Sequence, residues 1–171
     1  MADQGTETVS RAAIRAEIAG NRLELIESGE ARLRVLLEMI GGAQQSIKML
    51  MYMFNPDAVG HEVRDALVAA AQRGVRVNVL IDGFGSVASP EFFAPLREAG
   101  GDECVFNPSY GRSYLMRNHQ KLVVVDDWLA IIGGANIDDT YLHDGSLRDW
   151  RDLWLKLEGP EVAMPCRYFD T

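Results

Sequence analysis

The sequence has few cysteines, few histidines and no long apolar run. Its two cysteines, Cys104 and Cys166, are far apart and form no Cys-x-x-Cys pair, so neither a disulfide framework nor a clustered metal site is indicated. No uninterrupted apolar segment could cross a bilayer, and the N-terminal segment lacks the apolar centre of a signal peptide. We therefore expect a reduced, cytoplasmic protein that reaches any membrane only peripherally, from the aqueous side.

Positive charge is also scarce. The 171 residues contain 17 Lys and Arg against 25 Asp and Glu, a formal net charge of −8. Because such a chain repels a phosphate backbone unless its cations are concentrated in one place, nucleic acid is not an expected partner. The 47% hydrophobic and 25% charged composition is typical of one soluble globular domain with an ordinary core.

The first half of the chain alternates apolar runs of strand length with amphipathic segments of helical period. Ser28, Asp57 and Ser89 each precede an amphipathic segment and are suited to cap a helix. Strands are predicted over residues 21–27, 46–54 and 75–82. Beyond residue 101 the alternation ends, and four more strands are predicted within 102–106, 122–125, 128–132 and 148–159.

This order predicts an α/β fold with a mixed, mainly parallel sheet flanked by helices. Residues 1–20 are polar and are expected to form a frayed or helical lead-in, and residues 21–171 a single domain. No internal repeat or low-complexity tract is visible.

The stretch RNHQKLVVVDDWLAIIGGAN, residues 117–136, combines polar and apolar residues in a pattern that indicates a site. His119 and Lys121 are two residues apart, so both would project from one face at the start of a buried strand. The hairpin returns to two glycines, and Asn136 follows them at the same end. An imidazole, an ammonium and a carboxamide together can bind a phosphate, with Lys121 and Asn136 as donors and His119 as the candidate nucleophile.

Fixed donors of this kind can stabilise the charge that Mg²⁺ stabilises in other phosphoryl-transfer sites. No carboxylate cluster with metal-ligand spacing is evident, so neither a metal nor a cofactor is expected. A lone histidine would more simply be a surface or core residue, and the complete spacing is what favours a phosphate site.

The residues His119, Lys121, Asp126, Gly133, Gly134 and Asn136 follow the spacing H-x-K-x4-D-x6-G-G-x-N, which resembles the HKD signature of the phospholipase D superfamily. The segments ALVAAAQRGVRVNVLIDGFGS, GGANIDDTYL and WRDLWLKLEGPEV resemble, in order, the N-terminal half of bacterial cardiolipin synthase-like members. The similarity runs from about Asn21 to the end of the chain. It implies a phospholipase D-like α/β/α sandwich that forms one half of the usual two-domain unit.

The resemblance also implies a metal-independent reaction in two steps, in which one histidine forms a phosphohistidine and a second protonates the leaving alcohol. On this sequence His119 would be nucleophile or general acid, while Lys121 and Asn136 would bind the phosphate. Asp126 belongs to the motif, yet its place in a hairpin turn favours a structural role.

Asp152 matches the carboxylate that family members use to hold the histidine ring, so it is a candidate catalytic residue. A strand carboxylate paired with Arg151 or Arg148 remains the alternative. Gly134 replaces a serine found in many relatives, which removes one possible hydroxyl contact.

The chain carries the motif once. His61 and His143 are not followed by lysine two residues later, so one histidine is present where the reaction needs two. Either two copies meet about a two-fold axis, or the chain is the first half of a longer enzyme, which is the interpretation we favour.

The expected function is a phosphatidyltransferase or phospholipase of the cardiolipin synthase type, acting on a phospholipid at a membrane surface. The alternatives are a homodimeric phosphodiesterase or endonuclease, and a phosphate-binding module without catalysis.

Overall fold

The computed structural model describes residues 14–106, 118–145 and 149–171. Within these ranges eight strands form one sheet. In chain order they are β1 Arg15–Ile18, β2 Asn21–Ile26, β3 Ser46–Met51, β4 Arg76–Asp82, β5 Asp102–Phe106, β6 Leu122–Val125, β7 Leu129–Gly133 and β8 Trp154–Glu158. Across the sheet their order is β1-β2-β8-β7-β6-β3-β4-β5.

The sheet is mixed and flanked by helices, as predicted, but it is not mainly parallel. Only β3 with β4 and β4 with β5 pair in parallel, whereas the other neighbours are antiparallel. The reason lies in the connections. Helices join β3, β4 and β5, and a helical crossover returns the chain in the same direction. A tight turn at Asp126–Trp128 joins β6 to β7, and a tight turn forces antiparallel pairing.

The helices form a layer on each face of the sheet. They are α1 Gly29–Gly42, α2 Ala58–Gln72, α3 Ala94–Glu98, α4 Asp139–Leu142 and α5 Ala163–Phe169, with 3-10 turns at Pro90–Phe93 and Pro160–Val162. The larger core lies between the sheet and α1, α2, α3 and α4. A smaller core, with Leu122, Val124 and Cys166, lies on the α5 face. No helix in these described ranges is both long and apolar enough to span a bilayer.

Helix α1 shows how the local sequence sets the fold. Ser28 accepts a hydrogen bond from the Ala31 amide and so caps the helix, as predicted. Leu36 and Ile40 are fully buried against the sheet. The buried face also includes Arg32, whose guanidinium enters the core beside these apolar residues.

The segment before residue 21 is partly ordered as a strand rather than a helix. β1 pairs with β2 in an antiparallel hairpin through Ala19 and Gly20, both of which have positive φ angles. Positive φ at both central residues is the geometry that a tight hairpin turn requires. Arg15 and Glu24 form an ion pair across this hairpin. Residues 1–13 of the expected lead-in lie outside the described residues.

The helix expected after Ser89 is shorter and less regular than predicted. Ser89 makes no side-chain capping bond, and a 3-10 turn over Pro90–Phe93 precedes α3. Pro95 lies in the first turn of α3, and its missing amide hydrogen is tolerated only there.

Candidate functional site

The motif residues other than Asp126 lie along one edge of the sheet, where β3 and β7 end and β6 and β8 begin. The strand register sets this arrangement: Leu122 lies opposite Leu50 on one side and Ile132 on the other. Gly133 in turn lies opposite Trp154 of β8. Residues just before β6, just after β3 and β7, and just before β8 therefore meet at this edge.

His119 and Lys121 are in direct contact. The Lys121 Nζ lies 3.1 Å from His119 Nδ1 and 3.4 Å from Nε2, and it donates to the His119 carbonyl oxygen at 2.7 Å. The two side chains thus point the same way, as their spacing predicts. His119 is exposed, whereas Lys121 is only 4% exposed. The imidazole therefore lies at the mouth of the site and the ammonium beneath it.

Tyr52, the residue after β3, forms a wall behind this pair. Its ring centroid is 4.3 Å from that of His119, and the Lys121 Nζ lies 5.0 Å above the same ring. An ammonium over an aromatic face gains a cation–π interaction, which offsets part of its desolvation. Tyr52 therefore orients both chargeable groups of the motif.

The charge of Lys121 is held in an unfavourable environment. Burial lowers the pKa of its ammonium, and the nearby Asp152 carboxylate partly opposes that shift. An anion that entered beside Lys121 would favour the charged amine in the same way as Asp152 does. A negatively charged ligand would therefore gain a favourable interaction with the buried Lys121 ammonium.

Asn136 is fixed at the same edge by the segment that follows β3. It is 3% exposed, and its Oδ1 accepts a hydrogen bond from the Met53 amide at 3.2 Å. Because the amide oxygen is used in this way, the Nδ2 group is the end of the side chain that can donate to a ligand.

Asp152 lies against the glycine pair that ends β7. A Cβ atom on Gly134 would lie 2.5 and 2.6 Å from the two Asp152 carboxylate oxygens. The carboxylate thus fills the space that a serine in this position would need. Its Oδ1 accepts from the Leu153 amide at 2.6 Å. Among the described residues, no hydrogen bond joins Asp152 to His119, whose ring nitrogens face Lys121 instead. Arg148, one of the expected partners of Asp152, lies outside the described residues.

Arg32 supports Asp152 from inside the core. Its Nη1 donates to the Asp152 carbonyl oxygen at 2.6 Å and to the Glu27 carbonyl oxygen at 2.8 Å, and its Nε donates to the Tyr141 carbonyl oxygen at 3.1 Å. The side chain is 1% exposed, and burial lowers the pKa of the guanidinium while Asp152 and Asp144 raise it. Arg32 therefore ties α1, α4 and the start of β8 together.

Asp126, a predicted site residue, is not brought to this edge. It lies in the turn after β6, at the opposite end of the strand from Lys121. Its carboxylate accepts hydrogen bonds from the amides of Gln44, Gln45 and Ser46 at 2.7 to 2.9 Å. This carboxylate is therefore engaged with backbone far from His119, and a catalytic role would have to be indirect.

A buried carboxylate holds the backbone next to His119. Asp82, at the end of β4, is 2% exposed and accepts a hydrogen bond from the Asn118 amide at 2.9 Å. Its other oxygen accepts from the amides of Phe84 and Gly85. Asp82 therefore connects the loop after β4 to the segment that carries the histidine.

The other two histidines lie elsewhere. His61 is on α2, with its ring 5.1 Å from that of Phe92, and His143 follows α4 beside Asp139. Within the described residues the edge site thus holds one imidazole, one ammonium and one buried carboxamide. Such a set can bind an anion and offer a single nucleophilic or acidic nitrogen.

Known proteins resemble this chain over most of its length. A family model described as "Cardiolipin synthase, PLD-like domain" matches residues 36–166. The major cardiolipin synthase ClsA of Bacillus subtilis is 38% identical over 148 residues, which cover 83% of this chain and 31% of that protein. Cardiolipin synthase B of Salmonella typhimurium is 35% identical over 150 residues, which cover 84% of this chain and 36% of that protein. The chain therefore spans about a third of the length of these relatives.

A solved structure shows the same fold. Nuc from Salmonella typhimurium, described as a phospholipase D family member, superposes with a TM-score of 0.65 at 22% identity and covers 88% of this chain and 92% of that one. The family match extends over most of the chain and includes all the edge residues described above. The chain belongs to the family of phospholipase D-like domains of cardiolipin synthase.

Proposed function

We propose that this chain supplies one half of a phosphatidyltransferase site of the cardiolipin synthase type, with His119 as the nucleophile or the general acid. The observation that carries this proposal is the contact between exposed His119 and buried Lys121, both packed on Tyr52. The family match supports the substrate class, a phospholipid.

Lys121 has two roles in this proposal. Without a ligand its ammonium lies against the ring nitrogens of His119 and so competes for the lone pair that an attack on phosphorus needs. A phosphodiester bound beside it offers oxygens with more negative charge than the imidazole. The ammonium would turn to those oxygens, and one ring nitrogen of His119 would be released for reaction.

The bonds then change in two steps. A ring nitrogen of one histidine forms a bond to phosphorus while the bond from phosphorus to the leaving alcohol oxygen breaks, and the other histidine gives that oxygen a proton. An incoming alcohol next loses its proton to the second histidine and attacks phosphorus, which frees the first. Lys121 and the Asn136 amide would stabilise the equatorial oxygens in both steps.

A second histidine must come from outside the described residues. The relatives are about three times as long as the region they share with this chain, which supports a second motif in a longer protein. A second copy related by a two-fold axis would serve equally well. Light scattering on the purified chain distinguishes a dimer from a lone half.

The proposal is tested by hydrolysis of bis(p-nitrophenyl) phosphate in EDTA, using the assembly that holds both histidines. His119→Asn should abolish release of nitrophenol while the thermal unfolding midpoint stays the same. His143→Asn is the matched control, because its half-exposed ring lies outside the site and its loss should change neither property. Equal activity of His119→Asn and the unmodified protein would defeat the assignment. Phosphate binding without turnover would instead indicate a binding module.

A further inference from the structure

A groove of about 510 Å³ opens beside the site, on the α5 face of the sheet. Its floor is formed by Leu122 and Ile132, which lie opposite each other on β6 and β7. Met164, Pro165 and Tyr168 of α5 form one wall. Residues 119–121 close the end at the sheet edge, so the groove reaches the backbone that carries the motif.

The groove exposes large apolar side chains that a folded domain would ordinarily bury. Ile132 is 40% exposed, Met164 61% and Tyr168 45%. Single exposed apolar residues are common on protein surfaces, but a contiguous set beside a binding site indicates a ligand or an interface. Gly133 lies on the rim between the groove and the phosphate site and contributes no side chain there.

We propose that this groove binds a hydrocarbon chain of the phospholipid whose phosphodiester lies at Lys121. The inference rests on the proposed function, and it names the residues that recognise the apolar part of the substrate. The Lys121 ammonium beside His119, past the rim, and the apolar residues along the groove match the two parts of one amphiphile. A ligand crossing the rim at Gly133 would place its phosphate beside Lys121 and its chain between Ile132 and Met164.

The shape of the groove sets the size of the expected effect. A fully buried methylene increases affinity about fourfold, from roughly 0.8 kcal/mol each. Because the groove is open on one side, about twofold per methylene is a suitable expectation for the part of the chain that it covers. Four added methylenes should then increase affinity by about tenfold or more.

The test is a series of soluble phosphatidylglycerols with two butanoyl, hexanoyl or octanoyl chains, titrated below the concentration at which micelles form. Isothermal titration calorimetry on the full chain gives a dissociation constant for each ligand. The slope of log affinity against chain length measures how strongly the groove binds the hydrocarbon chain. The affinity of the shortest ligand measures binding at the phosphate site.

The variants separate these two quantities. Ile132→Thr combined with Met164→Gln should flatten the slope to less than about twofold over the series while the shortest ligand binds as before. Lys121→Met should weaken all three ligands by a common factor and leave the slope unchanged. Ile18→Thr is the matched control, since Ile18 is also an exposed strand isoleucine and lies on β1, away from the groove.

Each outcome bears on one claim. If affinity does not rise with chain length in the unmodified protein, or if the double variant keeps the slope, the groove does not bind the hydrocarbon chain and the proposal is wrong. An equal loss of slope in Ile18→Thr would also contradict the proposal, because the hydrocarbon chains would then bind any exposed apolar surface and not this groove. If the double variant dissociates an oligomer seen by light scattering, the groove is a protein interface and the proposal is wrong. If Lys121→Met changes no affinity while the double variant removes the slope, Lys121 does not bind the phosphate. The groove would still be a site for the hydrocarbon chain.

Discussion

Replacing Gly134 with alanine would move the Asp152 carboxylate and little else. The φ angle of Gly134 is outside the left-handed region, so alanine can adopt the same backbone. The added Cβ would lie 2.5 and 2.6 Å from the carboxylate oxygens and 2.9 Å from Cγ. Asp152 must therefore shift by about 1 Å to restore ordinary van der Waals separation.

The cost of that shift can be compared with the same change one residue earlier. Gly134→Ala should lower the free energy of unfolding by about 1 to 2 kcal/mol, because the Asp152 side chain is strained and its hydrogen bond from the Leu153 amide is weakened. In Gly133→Ala the Cβ would lie 2.2 Å from the Leu153 carbonyl oxygen. That atom belongs to the backbone beside β8 and cannot turn aside, so we expect a loss of about 3 kcal/mol or more.

Urea unfolding measures both costs, and hydrolysis of bis(p-nitrophenyl) phosphate measures the consequence for the site. If Asp152 orients the groups at the sheet edge, Gly134→Ala should lower kcat/KM by about 10-fold to 100-fold in a folded protein. Unchanged turnover in Gly134→Ala would refute the role of Asp152. Equal destabilisation by the two alanines would refute the packing argument itself.

Three further substitutions test other parts of the account. Arg32→Met should lower the free energy of unfolding by about 3 to 5 kcal/mol in urea titrations, because a buried guanidinium and its hydrogen bonds to three carbonyl oxygens are lost. Asp126→Ala should lower the free energy of unfolding by about 2 to 4 kcal/mol, since it removes three hydrogen bonds to backbone amides and places alanine at a φ of 53°. Lys121→Met should keep or raise the thermal midpoint at pH 7, although it should weaken phosphate binding. Because burial lowers the pKa of Lys121 in the fold, its protonation costs stability below its ordinary pKa, and any gain from the substitution should vanish as pH rises to about 11.

The sequence was most informative where local chemistry determines local structure. The capping roles of Ser28 and Asp57 follow from short side chains before apolar helices, and both capping bonds are present in the structure. The contact between His119 and Lys121 follows from their spacing alone. The direction of pairing was harder to predict, because short turns and long crossovers both connect strands of similar composition.

The supporting residues of the site could not have been identified from the sequence. In the sequence, Arg32 lies on a face of α1 that has both polar and apolar residues. The carbonyl oxygens to which it donates belong to three separate segments. Tyr52 and Asp82 end ordinary apolar strands, and nothing in their neighbours shows that both meet the segment carrying His119. These contacts depend on which strand ends share an edge, and that is a property of the assembled sheet.

The central claim is that His119, Lys121 and Asn136 surround one phosphorus centre. A crystal structure with orthovanadate, which adopts the five-coordinate geometry of a transferring phosphoryl group, tests it most directly. The account predicts vanadate beside His119, with a ring nitrogen bonded to vanadium if His119 is the nucleophile or hydrogen-bonded to an apical oxygen if it is the general acid. The other oxygens should lie within hydrogen-bond distance of Lys121 Nζ and Asn136 Nδ2. Vanadate bound elsewhere, or held by Lys121 with His119 turned away from the metal, would contradict it.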